Sequence, residues 1–152
     1  MIKKHLIFLA ILILAISCEK KDRLNKDKEI LIGKWNWTES LHAHDFCEGP
    51  LVKDYITPET EGHHYAMKFE KKGYIYFFQD DIEIANKRIV FTGFGDYNGD
   101  STYKSFAIYL DNDKNQRLTG QVKEDSIIIK PGFPYASYNE GCETYTSYFI
   151  RK

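Results

Sequence analysis

Residues 33–40 read Gly-Lys-Trp-Asn-Trp-Thr-Glu-Ser (GKWNWTES), and this stretch decides the fold. Trp35 and Trp37 alternate with polar neighbours, which places both indoles on one face of a strand. Gly33 lets the chain enter that strand at close quarters. Downstream, apolar residues keep recurring at period two or in short runs, and no heptad or 3.6-residue repeat appears after residue 32. The pattern predicts strands over Gly33–Ser40, His63–Glu70, Tyr74–Asp80, Ile82–Ala85, Lys87–Phe94, Tyr103–Leu110, Gln116–Lys123, Ser126–Lys130 and Glu143–Arg151. Gly73, Asn86-Lys87 and the run Asp111 to Asn115 supply turn chemistry between them. Leu41 to Gly62 and Pro131 to Gly141 are expected as long connections. The chain carries 11 Tyr, 10 Phe and 2 Trp, a composition suited to pleated, half-buried surfaces. Seven to nine short antiparallel strands in succession mean a closed barrel or a β-sandwich.

The far end of the chain favours the barrel. Its last strand, ETYTSYFIRK (143–152), finishes on Phe149-x-Arg151. Gly-x-Trp in an opening strand with a late arginine resembles the lipocalin superfamily, in which that arginine packs across the tryptophan where the barrel closes. The likeness extends to the small lipocalin-like domains of bacterial lipoproteins. Leu31, Gly33 and Trp35, then Thr57-Pro58, then Phe69, Gly73 and Tyr74, and finally Phe149 (in place of the usual Tyr) and Arg151 follow their order. The resemblance implies a small antiparallel up-and-down barrel over residues 31–152, with Gly33, Trp35 and Arg151 in structural roles at its closed end. A barrel of eight strands is either filled by side chains or holds one small ligand. Tyr65, Met67, Phe69, Phe106, Ile108, Leu110, Leu118 and Val122 are the inward candidates, all bulky but the last.

Ahead of the strands, Lys3 and Lys4 precede eleven apolar residues, Leu6 to Ile16. As a helix these span about 16 Å, half of a bilayer's hydrocarbon core, so the run is a secretory leader rather than a membrane span. Ala15-Ile16-Ser17-Cys18 resembles the lipobox of bacterial lipoproteins, whose cysteine thiol is diacylated, commonly with palmitate-type chains, before the leader is cut and the new amino terminus is often acylated too. The resemblance implies a signal peptide over residues 1–17 and lipidation at Cys18. Residues 18–30 then form a tether, since nine of the eleven residues 19–29 are charged. Charges directly after the cysteine resemble the export tags of surface-displayed lipoproteins, so an outer-membrane address is expected, on either face. Without its leader the chain has 19 basic and 22 acidic residues. That balance argues against a nucleic-acid partner, which needs a basic stripe to replace phosphate counterions.

With Cys18 given to lipid, Cys47 and Cys142 remain as an even pair in an oxidising compartment, expected as a disulfide, with two free thiols as the alternative. His42, His44, His63 and His64 border the long connection, with Asp45, Cys47 and Glu48 nearby. These are zinc-ligand types, which would have to converge at about 2.0–2.3 Å. The alternative is a polar, solvated loop. Acidic turns such as Asp96 to Asp100 lack the spacing of a calcium loop and read as hairpins. No nucleophile elbow, His-Glu-x-x-His, P-loop or dinucleotide turn is present. The expectation is therefore a non-catalytic envelope lipoprotein with no obligatory cofactor. Trp37, Tyr65 and His63 would stand nearest the mouth, facing a small apolar ligand. The alternative is a packed barrel that presents Phe133, Pro134, Tyr135 and Tyr138 to an envelope protein.

Overall fold

The computed structural model describes residues 24–44, 52–133 and 143–151. The leader, Cys18, Asp45, Cys47, Glu48, Pro134, Tyr135, Tyr138 and Cys142 lie outside the described residues, as does the side chain of His44.

Nine strands form one antiparallel sheet: β1 (Gly33–His44), β2 (Val52–Ile56), β3 (Tyr65–Glu70), β4 (Tyr74–Gln79), β5 (Ile82–Tyr97), β6 (Asp100–Leu110), β7 (Asp113–Lys123), β8 (Ser126–Lys130) and β9 (Glu143–Arg151). Pairing of β1 with both β3 and β9 closes eight of them into an up-and-down barrel, leaving β2 as an extra strand. A 3-10 helix (Lys26–Leu31) precedes the barrel, and a single turn of helix, α1 (Pro58–Glu61), lies between β2 and β3.

Three hairpins turn on two residues that both have positive φ: Asp80-Asp81, Asn98-Gly99 and Asp111-Asn112. That backbone matches the right-handed twist of the flanking strands, and Asn, Asp and Gly tolerate it best. The five-residue turn expected from Asp111 to Asn115 therefore shrinks to two, with Asp113 already paired to Leu110. A second difference concerns Asn86-Lys87, expected as a turn. Both residues sit inside the sixteen-residue β5, opposite Tyr76 and Ile75. β5 changes partner along its length, with Ile82–Arg88 on β4 and Ile89–Tyr97 on β6. The N–H of Ile89 donates to the Gly73 carbonyl and that of Asp111 to the Arg88 carbonyl, which stitches both hairpins at the crossover.

The interior is built from Trp35, Trp37, Met67, Phe69, Ile75, Phe77, Ile89, Phe106, Ile108, Leu110, Leu118, Val122, Ile127, Ile129 and Phe149, all buried. The bulky inward candidates are among them, except Tyr65, which is half-buried. Phe106 lies over Gly120 so closely that a Cβ there would meet its ring at 2.4 Å. One end of the barrel is plugged from the N-terminal side. Leu24 and Leu31 are fully buried, and Lys28 Nζ lies 4.9 Å over the Phe91 ring. Leu24 and the 3-10 helix, which fall in the charged run and its junction with the barrel, thus pack with the core. Trp35 Nε1–H donates to the Leu31 carbonyl at 2.8 Å, and the Arg151 guanidinium sits 4.3 Å over the Trp35 ring while donating to the Ile30 carbonyl.

Candidate functional site

The opposite side of β1 behaves differently, and the cause is one residue. Trp37 pairs with Phe149 and Glu39 with Tyr148, so Thr38 is an extra residue, a β-bulge. Up to the bulge odd-numbered residues face inward; beyond it Ser40 does, fully buried. Bulges bend a strand, and here β1 leaves β3 after Asn36↔Ala66 and is paired to β2 from Ser40↔Ile56 onward. Trp37, Thr38 and Glu39, about 10 Å of strand, lie between these two pairings.

The bulge is held by polar contacts. Thr38 Oγ1–H donates to the Tyr148 carbonyl (3.0 Å), Trp37 Nε1–H donates to Ser40 Oγ (2.9 Å), and Ser40 Oγ and Ser147 Oγ share a hydrogen bond. Gly132 fits against Ser147, where a Cβ would come within 2.2 Å of Oγ. These contacts fix the Trp37 indole at the edge of the opening.

A groove of about 660 Å³ runs along the outside of this seam, within the usual range for small-molecule sites. Its floor follows from the register. Ile150, Asn36, Ala66 and Phe78 stand side by side on the outer faces of β9, β1, β3 and β4. Small Ala66 makes the dip between Asn36 and Phe78. Lys34 and the Asp80-Asp81 turn form one rim, Thr38 lies on the other, and Trp37 and Tyr65 are reached through the seam.

Tyr65 is the hub of an aromatic cluster. Its ring lies edge-on to Trp37 (5.5 Å), His63 (6.2 Å) and Phe133 (5.6 Å), and Phe133 in turn packs 4.7 Å from Phe77. Trp37, Tyr65 and His63, the three residues that the sequence assigns to the mouth, are therefore brought together. Phe133 packs inward, against the expectation that it is displayed to a partner. Burial, then the charges of Glu61 and Asp80, push the Tyr65 hydroxyl upward, so it stays a neutral hydrogen-bonding group.

Asp80 pins the loop behind this cluster. Its Oδ1 accepts from the His64 N–H (2.9 Å), its Oδ2 accepts from His63 Nδ1–H (2.7 Å), and its own N–H donates to the His64 carbonyl. The His64 amide and then the His63 ring hold the carboxyl below the usual aspartate range. Lys34 Nζ pairs with Asp81 at 2.5 Å. Both acids at the rim thus have cationic or N–H partners, so neither carboxylate is left without a donor.

The histidines do not gather. His42 stacks on Tyr145, with ring centroids 4.1 Å apart and planes 4° from parallel, while His63 and His64 are held by Asp80. Among the described residues no three His, Cys, Asp or Glu side chains converge as metal ligands, nor is any helix long and apolar enough to cross a membrane.

Comparison with protein-family models, curated proteins and solved structures returned no match. The site therefore stands on its own geometry. Lys34, Asn36, Thr38, Ala66, Asp80, Asp81 and Ile150 line it without having been singled out in the sequence. A signal for the seam existed: the strict alternation of Trp35-Asn36-Trp37 breaks at the polar pair Thr38-Glu39, where the bulge falls.

Proposed function

We propose that the chain is a lipid-anchored, non-catalytic binding module of the bacterial cell envelope, acylated at Cys18 and taking its ligand at the seam beside Trp37, Tyr65 and His63. The observation that carries the binding half is the bulge at Thr38, which parts β1 from β3 and opens a groove of about 660 Å³ onto an otherwise inward-facing aromatic cluster. Large side chains fill the barrel beneath it, so the seam, rather than a deep calyx, is the place for a small molecule. The lipobox-like Ala15-Ile16-Ser17-Cys18 carries the anchoring half. Stable attachment needs more than one acyl chain, each buried methylene contributing about 0.8 kcal/mol. In favour of a Cys47–Cys142 disulfide, β1 and β9 hold His44 opposite Glu143, three residues and one residue from the two cysteines.

Growth on an alkyne-bearing fatty acid tests the anchor. The wild-type chain is expected to take up the label and sediment with membranes, and Cys18→Ala to do neither. Native mass spectrometry of the extracted protein tests the binding half: a small molecule lost on substituting Trp37 is the expected result. A packed interior also suits an envelope protein–protein module. Copurification of a protein with no small molecule, unaffected by Trp37→Ala, would establish that reading instead.

A further inference from the structure

The outer face beside the groove carries a second feature that fits it. On β4, Ile75 and Phe77 point inward, leaving Tyr74, Tyr76 and Phe78 as a column on the outside. Successive rings in such a column are about 6.7 Å apart. Phe78 adjoins the groove floor through its register with Ala66, and Lys34 Nζ lies 5.3 Å over its ring. Polar groups flank the column: Lys68 and Glu70 on β3, Asn86 and Arg88 on β5, all in register with the tyrosines.

The lysines and carboxylates here are engaged within the protein, Asp80 by the His63 ring and the His64 N–H. Lys34 pairs with Asp81 and Lys68 with Glu70 (2.7 Å). A charged ligand would have to break such pairs, so the complementary ligand is neutral. Lys68 Nζ lies 5.8 Å from the Tyr76 ring centroid, as Lys34 does over Phe78, and Tyr74 is exposed; a surface of rings set among polar and charged side chains lacks an all-apolar lining for a lipid chain. Pyranose rings suit such a surface, with an apolar C–H face and a hydroxylated rim. At the groove floor Asn36 Nδ2 is buried with no hydrogen-bond partner. Asn36 lines the groove, and offering this donor to a ligand takes a rotation about χ2, a broad torsion for Asn. An amide carbonyl satisfies it, while a methyl group fits against Ala66 and Ile150.

Resting on the reading of the seam as a binding site, we propose that the groove and the Tyr74-Tyr76-Phe78 column bind a neutral glycan bearing acetamido groups. One acetamido group lies on Asn36, and further sugars stack along β4. An unpartnered buried donor that gains its acceptor contributes about 1–3 kcal/mol, a factor of roughly 5 to 150 in affinity.

Titration calorimetry on the full processed lipoprotein, in a detergent without a sugar headgroup, tests this. The probes are the β-1,4 trimer of N-acetylglucosamine, its monomer, cellotriose and decanoate. The N-acetylated trimer is expected to bind at least about tenfold more tightly than cellotriose, a preference lost in Asn36→Leu. Tyr76→Ala should weaken the trimer and leave the monomer unchanged. Ala66→Leu, which fills the dip from outside, gives a second loss that does not touch Asn36; circular dichroism checks that each variant is folded. Equal binding of trimer and cellotriose, or a trimer affinity unmoved in both Asn36→Leu and Ala66→Leu, overturns the proposal. Decanoate binding that Ala66→Leu abolishes, with no sugar bound, overturns the glycan and keeps the groove as a site. No response to any probe, with no copurifying small molecule, overturns both.

Discussion

Arg151 shows how much one side chain can tie together. Its guanidinium covers the Trp35 indole and donates to the Ile30 carbonyl, so it links the last strand, the first strand and the plug. A cation–π contact of this kind and one hydrogen bond are together worth about 2 kcal/mol. Arg151→Ala should lower unfolding stability by that amount, read from the denaturant midpoint. Arg151→Lys should recover only part, because an ammonium lacks the planar stack. Asp80 makes a pH-dependent statement. A carboxyl whose folded pKa is depressed contributes stability that is present above its unfolded value and lost as pH falls through the folded one. Asp80, Glu70, Asp100 and Asp111 are all shifted this way, by hydrogen bonds from His64 and His63, Lys68, Thr102 and Lys87 respectively. Stability should therefore be level above about pH 5 and fall below about pH 4. The Asp80 carboxyl carbon should titrate by NMR below the ordinary aspartate value.

Among the elements, the strands with one wet face were the legible ones. β1, β8 and β9 start where the sequence places them, β1 by its alternation and β8 by the short apolar run Ile127-Ile128-Ile129. β4 was legible as a strand, yet its two faces were not. In Tyr74-Ile75-Tyr76-Phe77-Phe78 both faces are apolar, so nothing in the residues says which ring points outward. β5 failed for another reason. Asn86 and Lys87 have turn chemistry, but tertiary pairing to Tyr76 and Ile75 overrides it. A turn or two of helix is legible over Lys26 to Ile32, with Asn25 ahead of it, and the 3-10 helix falls there; its burial as a plug is not legible, because the run is nearly all charge apart from Leu24, Ile30 and Leu31. Leu24→Ala should cost about 2–4 kcal/mol, since the site is fully buried. Gly120→Ala should cost about 1–3 kcal/mol without any change of backbone preference, because a methyl group there meets both Phe106 and the Ile128 carbonyl. Chemical denaturation of both variants checks these values.

For the whole molecule, the decisive residues lie at the two ends of the sequence. Trp35 and Arg151 locate the closed end, and the Gly-x-Trp to x-Arg pairing carried the barrel reading. The groove was hidden, because it depends on which strand β1 abandons, and that is a property of three strands at once. The same closure has a temporal side. β1 is made first and completes its pairing only with β9, so Thr38 finds its partner Tyr148 across 110 residues. Hairpins from β3 to β8 need only their neighbours, whereas the ring waits for the end of the chain. Such non-local pairing places folding in the millisecond-to-second range. A nascent chain that stops before Glu143 carries an open sheet with the inner edge of β1 and the outer edge of β8 exposed. Synthesis must therefore run through Arg151 before any protease would meet a finished barrel.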